Sequence, residues 1–188
     1  MRVYIVRHGE SETNLTATYT GWMDVELTEK GKQDAQRAGT MLQNVKFDKI
    51  YSSDLRRAIH TAELAIPGCT YETSPMLREV CLGKLEGKPI ASLTDADRAE
   101  ISQSGYTAFG GESKEEFHNR ISNFLEMLSN SELGTVGVFC HGGWLRGMLD
   151  QVIGLSLPRN RICCNNCAIA IIEYTGTHWQ LHSWMNLQ

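Results

Sequence analysis

Apolar positions along the chain fall into two patterns. Short unbroken runs stand at Arg2–Val6 (RVYIV), Lys49–Tyr51 and Thr135–Cys140 (TVGVFC), bounded by charged or small residues. Runs of that length predict strands buried on both faces. Elsewhere apolar residues recur three and four positions apart, the spacing of one helix face. Leu55, Ala58, Ile59, Ala62 and Ile66 form such a face behind Ser53, which is read as the N-cap. Phe117, Ile121, Phe124, Leu125 and Leu128 form another, behind Ser113 and Glu116 at capping-box spacing. Thr28 is placed to cap a helix over 28–43, and His141-Gly-Gly opens a helix that runs to about Ile153.

The remaining segments are less regular. The stretch from Gly9 to Leu27 reads as loop, Thr70–Glu72 as a short strand, and 74–112 as irregular chain with one helix near 90–102. Cys167–Tyr174 and His178–Trp184 flank a Thr-Gly pair and predict a β-hairpin. Strands alternating with helices predict a mainly parallel sheet covered on both faces. The expected architecture is therefore a three-layer α/β/α sandwich, class α/β, forming one domain over 1–188.

Composition narrows the partners. The chain has 188 residues, 41% of them hydrophobic and 21% charged, with a formal net charge of −4. That is globular usage, and a mildly acidic chain lacks the basic charge that nucleic acid demands. No apolar run approaches the ~20 residues that cross a bilayer, so no membrane partner is expected. The opening residues MRVYIVRHGE contain no signal-peptide core. The six cysteines, at 69, 81, 140, 163, 164 and 167, read as free and largely buried thiols in a reducing cytoplasm.

Two strands end alike: RVYIV runs into Arg7-His8-Gly9, and TVGVFC into His141-Gly142-Gly143. Ligands of open α/β sheets bind beyond the carboxyl ends of the strands. Neighbouring parallel strands would bring His8 and His141 together there. The strand ending at Tyr51-Ser52-Ser53 delivers Arg56 and Arg57 on the next helix. Guanidiniums grip phosphate oxygens in pairs, and neighbouring cations keep an imidazole neutral and nucleophilic. The chemistry that fits is phosphoryl transfer to a histidine nitrogen. A proton source for the leaving alkoxide is then needed, and Glu79 and Glu86 in LREVCLGKLEG are the candidates.

RHGESETN at 7–14 resembles the histidine phosphatase superfamily, in the branch of the cofactor-dependent phosphoglycerate mutases. The resemblance continues in order through TGWMDVELTEKGKQDA (20–35), YSSDLRRAIHTA (51–62), LREVCLGKLEG (77–87), GGES (110–113) and HGGWLR (141–146). It implies a phosphoglycerate mutase-like fold and phosphorylation of His8. Arg7, Arg57 and His141 would bind the phosphoryl group, and Glu79 would be the acid and base. Asn14, Thr20, Gly21 and the backbone at Gly142 fall where the family contacts phosphate or substrate. No metal and no cofactor are implied.

The family holds both mutases and phosphatases. Mutases carry a pattern like ERHYG after the catalytic glutamate. Here the residues are Glu79-Val80-Cys81-Leu82-Gly83, apolar or thiol where the pattern is basic and tyrosyl. The chain is closer in pattern to small phosphatases such as α-ribazole phosphatase. The expected activity is therefore hydrolysis of small phosphomonoesters, with a phosphorylated metabolite as substrate. The alternatives are mutase-type transfer and a phospho-ligand binding module without turnover. The terminal hairpin offers an edge strand for a homodimer, and 88–109 could close over the ligand.

Several residues read as decoys. Arg56, His60 and His118 are expected to be solvated or structural helix residues. Trp22, Met23 and Tyr106 are expected to pack rather than line the site. Cys164-x2-Cys167-x10-His178-x3-His182 approaches zinc-finger spacing, but its middle gap is short and its centre reads as strand.

Overall fold

The computed structural model describes residues 1–154 and 161–187. Its elements are strands β1 (Arg2–Arg7), β2 (Lys49–Ser52), β3 (Glu72–Thr73), β4 (Thr135–Cys140), β5 (Ile169–Tyr174) and β6 (Trp179–Met185). The helices are α1 (Glu12–Leu15), α2 (Glu29–Leu42), α3 (Arg56–Ala65), α4 (Asp95–Ser104), α5 (Lys114–Ser129) and α6 (Gly142–Ile153). The strands form one sheet in the order β3-β2-β4-β1-β5-β6. The β1–β4, β2–β4 and β2–β3 pairs are parallel, while β5 joins β1, and β6 joins β5, antiparallel.

Both sheet faces are buried, as the unbroken apolar runs require. Val3 and Ile5 point into one core with Phe117, Ile121 and Phe124 of α5 and Trp144 and Met148 of α6. Val6 points to the other side, against Ala35 and Ala38 of α2 and Ala62 of α3. Small residues let those two helices pack closely: a Cβ on Gly39 would meet the Ala65 carbonyl oxygen at 2.3 Å. The fold is thus the expected sandwich, with phosphoglycerate mutase-like topology. No helix of the described residues is long and apolar enough to cross a membrane.

Boundaries depart from the sequence reading where side chains act on nearby backbone. Thr28 caps α2 as expected, accepting from the Gly31 N–H at 3.0 Å. Ser53 does not cap α3; Leu55 holds that position, and the Ser53 hydroxyl faces His141 instead. A four-residue helix, α1, interrupts the predicted loop because Ser11 and Asn14 form a capping box. The short third strand is Glu72–Thr73, where two residues pair with Tyr51 and Ser52. Helix α4 starts later than expected, at Asp95, where Thr94 and Asp97 make reciprocal caps. β5 starts at Ile169 and not Cys167, since Cys167 adopts a left-handed φ of 57° and the Ala168 N–H turns back to the Asn165 carbonyl.

The cysteines divide. Cys140, Cys164 and Cys167 are buried, Cys69 and Cys81 are half-buried, and Cys163 is exposed, so burial holds for only part of the set.

Candidate active site

The central pair β1 and β4 sets the site. Arg7 stands opposite Cys140, and the ladder continues one step further when the His8 N–H donates to the Cys140 carbonyl at 2.9 Å. On the other side of β4, the Ser53 N–H donates to the Phe139 carbonyl at 2.8 Å. Three strand ends are thereby held level, and His8, Ser53 and His141 meet beyond them. The two imidazole centroids lie 5.1 Å apart.

Hydrogen bonds define the state of His8. Its Nδ1 lies 2.7 Å from the Gly9 carbonyl oxygen, which can only accept. Nδ1 therefore carries the proton and Nε2 keeps its lone pair. Burial, then the Arg57 and Arg7 charges, hold the imidazole well below the ordinary histidine pKa of 6.5, against a smaller opposing pull from the Gly9 carbonyl. His141 is fully buried and depressed likewise, first by burial and then by Arg57 and His8. Its Nε2 lies 2.9 Å from the Ser53 hydroxyl, and its Nδ1 has no partner.

The arginines are anchored through their ends. Arg57 is 1% exposed and donates to the Met23 carbonyl at 2.7 Å and the Gly21 carbonyl at 2.8 Å. Burial pushes its guanidinium down to about 10, still charged at neutral pH. Arg7 donates to the Cys164 carbonyl, and burial lowers it as well. In both, Nε is buried and unpartnered. Arg56 faces outward, paired with Asp24 and Glu26, and His60 pairs with Glu26 at 3.0 Å.

Glu79 and Glu86 separate cleanly. Glu79 places Oε2 2.8 Å from the Gly143 N–H, in the first turn of α6, and Oε1 2.9 Å from the Val80 N–H. Gly143 makes room for it: a Cβ there would stand 2.1 Å from Oε1. Glu86 instead accepts from the Trp22 N–H at 2.9 Å and the Leu82 N–H at 3.1 Å, which ties two loops together. Trp22 donates its indole N–H to the Glu79 carbonyl at 2.7 Å, so it supports the segment carrying Glu79. Tyr106 is buried in the core but also borders the cavity beside the site, so the expectation that it packs rather than lines holds only in part.

The remaining expected contacts surround His8. Asn14 Oδ1 accepts from Asn166 Nδ2 at 3.0 Å, and that same amide reaches the His8 carbonyl at 3.2 Å. Thr20 bonds to Thr13 through their hydroxyls at 2.6 Å. Gly21 supplies the carbonyl that holds Arg57. A Cβ on Gly142 would crowd Arg7 Nε at 3.1 Å.

Four residues escaped the sequence reading: Ser53 and Asn166 above, and two arginines. Arg120 of α5 donates to the carbonyls of Met76, Arg78 and Glu79 and pairs with Glu112, which fixes the backbone behind Glu79. Among the described residues, Arg146 of α6 bonds only the Gly142 carbonyl, at 3.3 Å, and its Nε is buried without a partner. A charged residue on a helix gives no sequence sign of what it meets from a distant part of the chain. The zinc-like cysteines and histidines are not gathered: Cys164 and Cys167 are buried, while His178 bonds to Thr175 and Thr177 in the hairpin turn. Among the described residues no three His, Cys, Asp or Glu side chains come together as a metal site.

These features define a phosphoryl-transfer type of site at the carboxyl edge of an α/β sheet, and the chain belongs to the histidine phosphatase superfamily, branch 1, whose model matches residues 3–187. Its relatives carry more than one activity in their names. "Probable phosphoglycerate mutase GpmB" of Proteus mirabilis is 33% identical, covering 98% of this chain and 90% of the relative. A phosphoglycerate mutase structure from Thermus thermophilus is 30% identical with a TM-score of 0.80, covering 100% of both chains. An Escherichia coli K-12 structure provisionally assigned as an alpha-ribazole-5'-P phosphatase is 25% identical with a TM-score of 0.88, covering 99% of this chain and 96% of the other.

The depressed imidazoles predict two pH effects. An imidazole at His8 that stays neutral below pH 6.5 keeps its lone pair there, so the acid limb of any kcat/KM profile that depends on it should lie below that value. Stability carries the opposite sign. Below pH 6.5 the unfolded chain protonates both histidines while the folded chain does not, so stability falls as pH drops from 6.5 toward their folded pKa values. His8→Ala and His141→Ala should each flatten that fall, as read by thermal melting between pH 7 and about pH 5.

Proposed function

We propose that this chain is a metal-independent phosphatase that hydrolyses small phosphomonoesters through a phosphohistidine at His8. The observation that carries the reading is a set of unmet donors. Among the described residues, the buried side-chain nitrogens with no partner are Arg7 Nε, Arg57 Nε, His141 Nδ1 and Arg146 Nε. Buried donors are normally paired, and leaving one unmade costs about 1–3 kcal/mol. Three of them, on Arg7, Arg57 and His141, belong to groups that surround the neutral His8 imidazole, an arrangement suited to an anion.

The roles follow from the geometry. His8 Nε2 attacks phosphorus, and the ester P–O bond breaks as the P–N bond forms. Arg7 and Arg57 balance charge on the equatorial oxygens, with their ends already fixed on carbonyls so that little ordering remains. In this reading the Ser53 hydroxyl acts as donor to His141 Nε2, so that the proton sits on the unpartnered Nδ1 and that N–H serves the phosphoryl oxygens. Glu79 is the group that passes a proton to the leaving alkoxide. Its carboxylate then takes a proton from water, which attacks phosphorus, breaks the P–N bond and releases inorganic phosphate. Asn14 and Asn166 steady the His8 backbone, Gly21 holds Arg57, and Gly142 and Thr20 border the phosphoryl position. A small phosphorylated metabolite is the partner, and buried free thiols fit a cytoplasmic setting.

Hydrolysis is favoured over transfer by the segment after Glu79, where Val80 and Leu82 are buried. The Cys81 N–H and carbonyl are held by Glu112, and residues 80–82 themselves carry no basic side chain where mutases of the family carry them. The relatives named as mutases favour the second reading, phosphoglycerate mutase-type transfer. One comparison separates the two: hydrolysis of p-nitrophenyl phosphate in excess EDTA against interconversion of phosphoglycerates primed with their bisphosphate. The proposal expects EDTA-resistant hydrolysis to exceed mutase turnover at least tenfold. Mutase turnover equal to it or faster would overturn the phosphatase assignment.

A further inference from the structure

The catalytic residues account for three of the four unmet donors, and Arg146 is the fourth. It lies one helical turn beyond Gly142, about 5–6 Å further along α6. The two guanidiniums approach the same point: a Cβ built on Gly142 would lie 3.1 Å from Arg7 Nε and 3.4 Å from Arg146 Nη1. Yet Arg146 differs from Arg7 in what it faces. A cavity of about 590 Å³ opens beside the site, lined by Gly143 and Arg146 but by neither His8, Arg7, Arg57 nor His141. Glu79 does not line it either; the link to the site is Gly143, whose N–H bonds Glu79, and Arg146, which approaches Arg7, so the cavity borders the Glu79 side, where the alcohol of an ester could lie.

Two features describe the occupant. Val80, Leu93, Tyr106 and Phe117 give the cavity an apolar wall, and its volume is that of a mid-sized organic ligand, far larger than a three-carbon acid needs. Cations dominate its polar part. Arg146 forms no ion pair among the described residues, and Arg98 makes only a 3.4 Å contact to the Ile90 carbonyl. The carboxylates on the wall are engaged: Glu112 with Arg120 and the Cys81 N–H, and Asp150 with partners of its own. A half-buried guanidinium beside a second guanidinium, with an unpartnered buried Nε and no ion pair among the described residues, favours an incoming anion.

We propose, building on the phosphatase reading, that Arg146 is a specificity residue. It would bind an anionic group on the alcohol portion of the substrate, whose largely apolar body fills the cavity between α4, α5 and α6. The substrate class is then phosphomonoesters of acid-bearing aromatic or similarly apolar alcohols.

The test compares phenyl phosphate with 3-carboxyphenyl phosphate on the wild type, Arg146→Met and Arg146→Lys. The wild type is expected to show a kcat/KM at least tenfold higher for the carboxylated ester. Arg146→Met should bring that ratio near one, and Arg146→Lys should keep part of it. A wild-type ratio near one overturns the proposal. So does an equal loss on both esters in Arg146→Met, which would put Arg146 on the phosphoryl group. Turnover of neither ester defeats the phosphatase reading itself. Calorimetric binding of the two esters to wild type then still decides: tighter binding of the carboxylated ester, lost in Arg146→Met, upholds the subsite, and equal binding overturns it.

Discussion

His8→Ala is expected to lower turnover of p-nitrophenyl phosphate by on the order of 10⁴–10⁶-fold, the loss seen when a covalent nucleophile is removed. No neighbour can substitute. His141 holds its Nε2 against Ser53, and its remaining nitrogen is the unpartnered Nδ1. The cysteines nearest the site, Cys140 and Cys164, are pushed above the usual thiol range, chiefly by burial, and stay protonated. The variant should fold: His8 follows β1, and its backbone bond to Cys140 survives the change. It should also bind inorganic phosphate or vanadate through Arg7 and Arg57. Steady-state kinetics with a melting curve on the same sample checks both halves. Turnover within tenfold of the wild type would remove His8 from the mechanism.

Glu79→Gln carries the second large effect, and its size should depend on the leaving group. Glutamine keeps its size and one acceptor oxygen, enough for either the Gly143 or the Val80 N–H but not both, so one of the two bonds is lost and a melting curve accompanies the kinetics. Glutamine cannot supply a proton. Alkyl phosphates, which leave as strongly basic alkoxides, should lose about 10²–10⁴-fold in kcat/KM. An activated aryl phosphate leaves as a weak base and should lose much less in the first step. A uniform loss across a leaving-group series would instead make Glu79 a purely structural anchor. Glu86→Gln serves as the comparison, since Glu86 ties loops at Trp22 and Leu82. Its loss should appear mainly in melting temperature and show no leaving-group trend.

The fold was legible wherever burial alone sets the pattern. Strands β1 and β4 are buried on both faces and read as unbroken apolar runs, and α5 carries its five core residues on one stripe behind a capping box. What escaped was set by single side chains. The length of α1 depends on Ser11 and Asn14 capping each other across three residues, and the start of β5 on one left-handed cysteine. Ser53 looked like an N-cap because serines before helices commonly are, but its hydroxyl is used by a histidine 88 residues away.

The grouping of His8 and His141 followed from the sheet rule, because both end parallel neighbouring strands. The choice between Glu79 and Glu86 did not, since both sit in one irregular segment. The family resemblance named Glu79, and in the structure its contact with the N-terminus of α6 sets it apart from Glu86. Arg120 and Asn166 carry no local signal: each acts through partners that the chain brings near only after folding, whereas Arg146 stands in the HGGWLR block but its neighbour Arg7 comes from a distant strand.

The phosphoenzyme itself tests the account most directly. The wild type would be mixed with excess substrate, quenched in alkali within milliseconds, digested and sequenced by mass spectrometry without exposure to acid. The account predicts one phosphate, stable to base and labile to acid, on the imidazole of His8 and absent from His8→Ala. A phosphate on any other residue would contradict it, as would full turnover with no phosphorylated His8 at any quench time.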